Sequence, residues 1–312
     1  MKIAILLSTY NGSDYLESFL CSLTQQNFQD FDVIARDDGS RDGSWDILQS
    51  FAKQSQNSTI LDKSFNLGVK KSFFRLMNEA SEKSYDYIMF ADQDDVWHAD
   101  KVEKTYLKMQ DLESRYGKNM PILVHSDLIV VDEKLNSIAS SFWKYQHIDP
   151  AKDSLNRLLL HNVVTGCTMM MNQALVEKVK MIPDEAIMHD WWIAMVASSF
   201  GKIAYINEPL MFYRQHGKND TGAKKYNFHY IWKTLLAKLL SGQCHSKLEK
   251  YINQSKAFLE LYSKELNEND RKMLEEFLVF EKLRKYQKLK VLFKYKIWKN
   301  GFMRNLGLIF FA

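Results

Sequence analysis

Four consecutive residues, Asp92-Gln93-Asp94-Asp95, gather hard oxygen ligands in one place. Mg2+ and Mn2+ prefer such oxygens, and two carboxylates one residue apart at a strand end can turn towards one ion. An ion held there can bridge two phosphates and neutralise charge on a departing diphosphate. Alone, the tetrapeptide reads equally as a solvated acidic turn before a helix. A second cluster, Asp37-Asp38-Gly39-Ser40, has Asp42 and Ser44 downstream. A carboxylate there can accept from the imide N–H of uracil or thymine or from ribose hydroxyls, and Gly39 lets backbone approach a ligand closely. The plainer reading is a turn with a helix cap, which Asp and Ser make routinely. Asp190 stands beside Trp191 and Trp192. A carboxylate desolvated by such neighbours is a better base, and it can equally cap a helix whose tryptophans fill a core. Arg214 and His216 follow an apolar run. A guanidinium there can stabilise charge on a diphosphate, and His216 can complete a metal shell or bind phosphate; a surface loop is the alternative. Trp143 lies in a polar run, where it can stack on a sugar or belong to the core.

The elements that must position these groups repeat in a regular way. Ile3–Leu7 is a continuous apolar strand, followed by the polar loop Ser8-Thr9-Tyr10-Asn11-Gly12 and a helix through Phe19, Leu20 and Leu23 capped by Ser13 or Asp14. Phe31–Ala35 is a second strand, with a helix opening at Asp42–Ser44. Thr59–Leu61 is a third, followed by Asn66-Leu67-Gly68 and a helix over about 70–80. Tyr87–Phe90 is a fourth and runs into Asp92. Strand–loop–helix in this rhythm predicts an α/β fold with a mostly parallel sheet and helices on both faces. In such sheets ligands bind beyond the carboxyl ends of the strands, so the clusters at Ser8–Gly12, Asp37–Ser40 and Asp92–Asp95 are expected to converge. Further on, Ile122–Val124 and Leu128–Val131 read as two strands around His125-Ser126-Asp127. Residues 189–200 read as a buried helix beginning near Asp190. Ile203–Ile206 and Leu210–Tyr213 read as two more strands, and Gly217–Tyr226 as a polar loop. From about Phe228 the chain reads as helical and increasingly basic. A soft boundary near 225 separates a domain over 1–225 (nucleotide part about 1–100, acceptor part about 101–225) from a helical basic region over 226–312.

At 312 residues, 46% hydrophobic, the chain can bury a sizeable core. Cys21, Cys167 and Cys244 are odd in number, far apart and without metal spacing, which reads as free thiols in a reducing compartment. The N-terminal apolar run is too short for a signal-peptide core, and no apolar stretch reaches the roughly 18 residues of a spanning helix. The net charge of +4 is a C-terminal property: Lys282 to Arg304 carries nine Lys/Arg and no Asp/Glu, and the remainder is acidic on balance. Aromatic and aliphatic residues mixed into that basic tail suit an anionic membrane surface, or the tail packs on the domain. No nucleic-acid reader motif is present, and neither the glycine-rich dinucleotide fingerprint nor the Gly-Lys-Ser/Thr phosphate loop occurs.

The ordered set Ser8–Gly12, Asp37–Ser40, Asn66–Gly68 and Asp92–Trp97 resembles family 2 glycosyltransferases of the GT-A fold. Ser141–His147, Thr165–Thr168, His189–Trp192 and Tyr213–Gly217 resemble the bacterial rhamnosyltransferase branch; the likeness covers about residues 1–225. The resemblance implies a GT-A domain, Rossmann-like, followed by a helical C-terminal region. It implies an inverting, Mg2+- or Mn2+-dependent hexosyltransferase, with nucleotide contacts from Ser8, Tyr10, Asp38, Asn66, Gly68 and Asp92. Metal ligands would be Asp92, Asp94 and His216. Asp95 and Arg214 would meet the donor sugar or diphosphate, and Asp190 would be the general base. Trp143, Trp191 and Trp192 would meet the acceptor. His189 stands where many relatives have Glu or Asp, and is a candidate orienting or titrating partner of Asp190. The implied donor is dTDP-β-L-rhamnose and the implied acceptor a lipid-linked saccharide of a bacterial surface polysaccharide. The implied location is cytoplasmic, peripheral at the inner face of the cell membrane. The alternatives are a UDP-hexose donor on the same fold, or a non-catalytic sugar-nucleotide or polysaccharide-binding module.

Overall fold

The computed structural model describes residues 2–61, 65–83, 85–217 and 244–311. The polar loop expected after Gly217 and the boundary expected near 225 lie outside the described residues. The chain divides into two compact units, and neither is a single stretch. The first is Met1–Phe142, Val164–Ile182 and Gly201–Ala223; the second is Trp143–Val163, Pro183–Phe200 and Lys224–Ala312. Two early segments therefore join the C-terminal helices.

In the first unit, β1 (Ile3–Thr9), β2 (Phe31–Asp37), β3 (Ser58–Ile60) and β4 (Tyr87–Asp92) form a parallel block in the order β3-β2-β1-β4. The apolar run of β1 is buried on both faces, as a parallel strand between helical layers requires. Helices α1 (Ser13–Thr24) and α2 (Ser44–Gln54) follow β1 and β2, and α3 (Val69–Glu82) follows β3. The chain steps one way from β1 to β3 and then returns across β1 to β4. Right-handed crossovers then put α1 and α2 on one face and α3 on the other, and α1 packs on α2 while α3 packs on β1 and β2. Capping departs from expectation at the first helix, where the N-cap position is Gly12, without a side-chain cap.

The sheet continues through β8 (Met170–Asn172), β6 (Ile122–Val131), β9 (Lys202–Arg214) and β5 (Val96–Trp97), with β7 (Ser137–Ala139) on β6. β8 is antiparallel to both β4 and β6, and β6 and β9 run parallel. Where the sequence suggested two pairs of short strands, each pair is one long strand. His125, Ser126 and Asp127 are buried inside β6. The interruption survives only as register shifts near Asp127, opposite Pro209. Proline cannot donate to a ladder, so an irregularity is expected there. Helix α4 (Lys101–Tyr116) packs against β6, β8 and β9, and the short helices α5 (Phe142–Gln146) and α7 (Gln173–Val179) follow β7 and β8 in the chain.

In the second unit, α8 (His189–Phe200) packs on the helix Cys244–Tyr262. Trp192 lies 5.4 Å edge-on from Phe258 and 6.3 Å from Tyr262, and Phe200 lies 5.2 Å from Tyr262. The short helix α6 (Leu155–Leu158) packs on α8. Helices Glu268–Leu278, Lys285–Tyr295 and Phe302–Phe311 complete the unit. The Asn156 amide donates to the carbonyls of Tyr295 and Lys296, and Arg304 donates to those of Gln146 and His147. No described helix is long and apolar enough to cross a membrane.

Candidate active site

The strand order reverses between β1 and β4, and a crevice opens beyond their carboxyl ends at such a point. Ser8 pairs in register with Asp92 on one side and Arg36 on the other, and Thr9 pairs with Asp37. Three clusters far apart in sequence thus meet at one edge. Hydrogen bonds interlock the first two. The Asp38 amide donates to the Thr9 carbonyl at 2.7 Å, and the Asn11 amide to Ser40 Oγ at 2.9 Å. The Arg41 amide returns a bond to Asn11 Oδ1 at 2.9 Å. Asp37 Oδ1 accepts from the amides of Gly39 and Ser40, closing a turn in which Gly39 has φ +85°. That conformation favours glycine.

Asp38 is engaged within the protein. It pairs with Arg36, which is fully buried, and accepts from the amides of Leu67 at 2.7 Å and Gly68 at 2.9 Å. Arg36 also donates to Ser72 Oγ at 2.9 Å and to the Phe65 carbonyl at 3.0 Å, while Ser8 and Ser72 share a 2.6 Å hydroxyl bond. The carboxylate expected to read a base therefore organises the Asn66–Gly68 loop, in which Asn66 is exposed and Gly68 has φ +77°. Arg36 and Ser72 were missed from sequence; the only signal was a charge inside an apolar strand.

At the end of β4, Asp94 Oδ2 lies 2.7 Å from His216 Nε2. His216 stacks on Tyr15 with ring centroids 4.6 Å apart. Asp94 Oδ2 and His216 Nε2 are hydrogen-bonded to each other, and their separation is close to the roughly 3 Å between adjacent ligands of an octahedral ion with bonds of about 2.1 Å. Of the expected metal ligands, Asp92 is gathered with Asp95 and Cys167, their ligand atoms all within 4.8 Å of one another, and not with Asp94 and His216. That group fits a hard cation less well, because a thiol is a soft ligand. Burial, then the charge of Asp95 and Asp92, also pushes the Cys167 thiol pKa well up, so it stays protonated.

Two expected donor contacts are corrected. Asp95 is fully enclosed, accepts from the Arg214 amide at 3.3 Å and hydrogen-bonds the Cys167 thiol. Burial, then Asp94 and Asp92, raises its pKa well above the carboxylate range. It has no face for a sugar. Lys101, also enclosed, lies 4.6 Å over the Trp97 ring, and burial brings its pKa down to about 8. The Arg214 guanidinium is likewise covered. It donates to the Asp94 carbonyl at 2.9 Å, the Glu133 carbonyl at 2.7 Å and Ser18 Oγ at 3.3 Å, above the Tyr15 ring. It holds the Asp94 loop and does not reach out to a diphosphate.

Asp190 and the three tryptophans lie in the second unit. Asp190 stands in the first turn of α8, half-buried, with Oδ1 accepting from the Trp191 amide at 2.6 Å. His189 is buried, which pulls its pKa down to about 3 and removes it as a titrating partner. Trp192 is fully enclosed against Phe258 and Tyr262, and Trp143 is 5% exposed. Neither presents a ring face to an acceptor. Trp191 is half-buried, its indole N–H donating to the Leu158 carbonyl at 2.6 Å.

Comparison with known proteins agrees with this architecture. Residues 4–179 match the model of glycosyl transferase family 2, and the chain belongs to that family. It is 27% identical over 228 residues to dTDP-rhamnosyl transferase RfbG of Shigella flexneri, covering 70% of this chain and 74% of that protein. It is 26% identical over 216 residues to the putative teichuronic acid biosynthesis glycosyltransferase TuaG of Bacillus subtilis, covering 68% and 78%. Among solved structures it resembles S. aureus TarS 1–349 in complex with UDP-GlcNAc, with TM-score 0.55 and 15% identity over 95% of this chain and 80% of that one. At that identity the likeness speaks for the GT-A-like fold alone.

Proposed function

We propose that the chain is an inverting, metal-dependent glycosyltransferase. It moves L-rhamnose from dTDP-β-L-rhamnose to a saccharide of a bacterial surface polysaccharide, working from the inner face of the membrane. The observation that carries this reading is the meeting of Ser8, Asp37 and Asp92 at the β1/β4 reversal, with the Asp94–His216 pair beside it. The likeness to a dTDP-rhamnosyl transferase supports the donor. A UDP-hexose donor is the second reading, supported by the fold shared with a structure that holds UDP-GlcNAc.

Asp92, Asp94 and His216 would hold Mg2+ or Mn2+, which when bound neutralises charge on the departing diphosphate. The loops of Ser8–Gly12 and Asn66–Gly68, tied down by Ser40 and Asp38, receive the nucleoside. In the transfer the acceptor hydroxyl oxygen bonds to the anomeric carbon from the face opposite the diphosphate. The bond from that carbon to the diphosphate oxygen breaks, and its electron pair leaves with the nucleotide. The hydroxyl proton passes to the Asp190 carboxylate. Half-burial favours that role, since desolvation makes a carboxylate a better base. Asp190→Asn should lower transfer at least 100-fold, the usual order for loss of a general base, while donor binding stays unchanged. Turnover near that of the wild type would remove Asp190 from the mechanism.

A further inference from the structure

We propose that Gln93, the uncharged member of the acidic cluster, is a positioning residue that fixes the nucleotide loop to the metal-side strand end. Its carboxamide grips one residue twice: Oε1 accepts from the Tyr10 amide at 2.9 Å, and Nε2 donates to the Tyr10 carbonyl at 3.0 Å. A neighbouring strand offers backbone groups this same paired donor and acceptor. Here β1 ends at Thr9 and β4 at Asp92, so a side chain extends the pairing one residue past the sheet.

Gly12 makes the arrangement possible. Its φ is −110°, open to any residue, so backbone freedom is not what it contributes. A Cβ there would stand 2.1 Å from Gln93 Oε1 and 2.2 Å from its Cδ. Glycine leaves the slot that the carboxamide fills. Gly12 and Gln93 are thus one device, which holds Tyr10 and joins it directly to Asp92 and Asp94. Loss of the device leaves the Asp94–His216 pair in place and loosens the loop on the nucleoside side. The cost falls on donor affinity and donor KM, not on kcat at saturating donor.

This inference rests on the reading that the β1/β4 edge takes the nucleotide. The test titrates dTDP and UDP, each in Mn2+, into the full chain as wild type, Gln93→Ala, Gln93→Glu, Gly12→Ala and the Gly12→Ala/Gln93→Ala double variant, with melting midpoints taken alongside. Two lost hydrogen bonds correspond to roughly a tenfold weaker Kd for Gln93→Ala. Gln93→Glu keeps the acceptor for the Tyr10 amide but sets a carboxylate oxygen against the Tyr10 carbonyl and adds negative charge beside the diphosphate, so it should weaken binding at least as much as Gln93→Ala. Gly12→Ala should weaken binding like Gln93→Ala, and the double variant should be no weaker than either single, as one shared device requires. Gln93→Ala binding dTDP as the wild type does, or effects that simply add in the double variant, would overturn the proposal. A wild type that binds neither dTDP nor UDP would overturn the nucleotide reading itself and the proposal with it.

Discussion

Charged side chains at this edge sort into those that are spent on the protein and those that remain for a ligand. Arg36, Asp38, Asp95 and Arg214 are all buried with protein partners. Stripping one member from such a buried pair leaves an uncompensated charge and is strongly destabilising, so their role is to hold loops in place. The buried histidines carry a consequence for acid stability. Burial holds His125 and His189 at a pKa of about 3, below the ordinary 6.5. Between those values the unfolded chain binds protons that the folded chain refuses. The histidine contribution to stability is therefore complete above 6.5 and is lost as pH falls through the window. Asp95, with its raised pKa, works in the opposite direction. The histidine effect is best read by difference: melting midpoints from about pH 7.5 to 4.5 should fall less steeply in His125→Gln than in the wild type. Parallel slopes would contradict neutral burial of His125.

At the scale of elements, what was legible in sequence was what apolar pattern controls. β1 and β4 are unbroken apolar runs and β2 is apolar from Phe31 to Ala35 but for Asp32; each ends in a polar cluster, and the register then makes those clusters converge. Two things escaped the pattern. β6 was read as broken because His125, Ser126 and Asp127 are polar, yet all three are buried. The Asp127 carboxylate accepts from the Leu128 amide at 2.8 Å and from the Ser141 hydroxyl, so its burial does not force the strand to end. α4 left no clear helical stripe because its buried face includes Lys101, Thr105 and Glu113 beside Val102, Met109 and Leu112. Glu113 is satisfied by the Tyr87 hydroxyl at 2.7 Å and the Asn172 amide at 3.2 Å. Long-range partners of this kind are invisible to periodicity. The same limit explains the site residues. The positions of Asp92 and Asp94 followed from strand ends, whereas the inward turn of Asp95 and Arg214 depends on Cys167, Glu133 and Ser18.

Over the whole molecule, the basic C-terminal stretch divides its apolar residues between a buried and an exposed set. Val291, Leu292 and Ile297 are buried in the second unit, while Tyr286, Phe293, Phe302, Leu306 and Phe310 are exposed among its lysines. Phe302, Leu306 and Phe310 are four residues apart and share one helix face. An apolar face rimmed by cations suits an anionic bilayer, as the proposed peripheral location requires. A Phe302→Ser/Phe310→Ser variant should lose most co-sedimentation with anionic vesicles; sedimentation equal to the wild type would contradict this. Calorimetry on the intact chain can decide whether the β1/β4 edge is a metal-assisted site for a thymidine nucleotide. With Mn2+ present, dTDP should bind more tightly than UDP, and chelating the metal should weaken dTDP binding at least tenfold, the order expected when an ion no longer links phosphate to protein. Tighter binding of UDP would move the donor to the second reading, and dTDP binding unchanged by chelation would contradict the account of Asp92, Asp94 and His216.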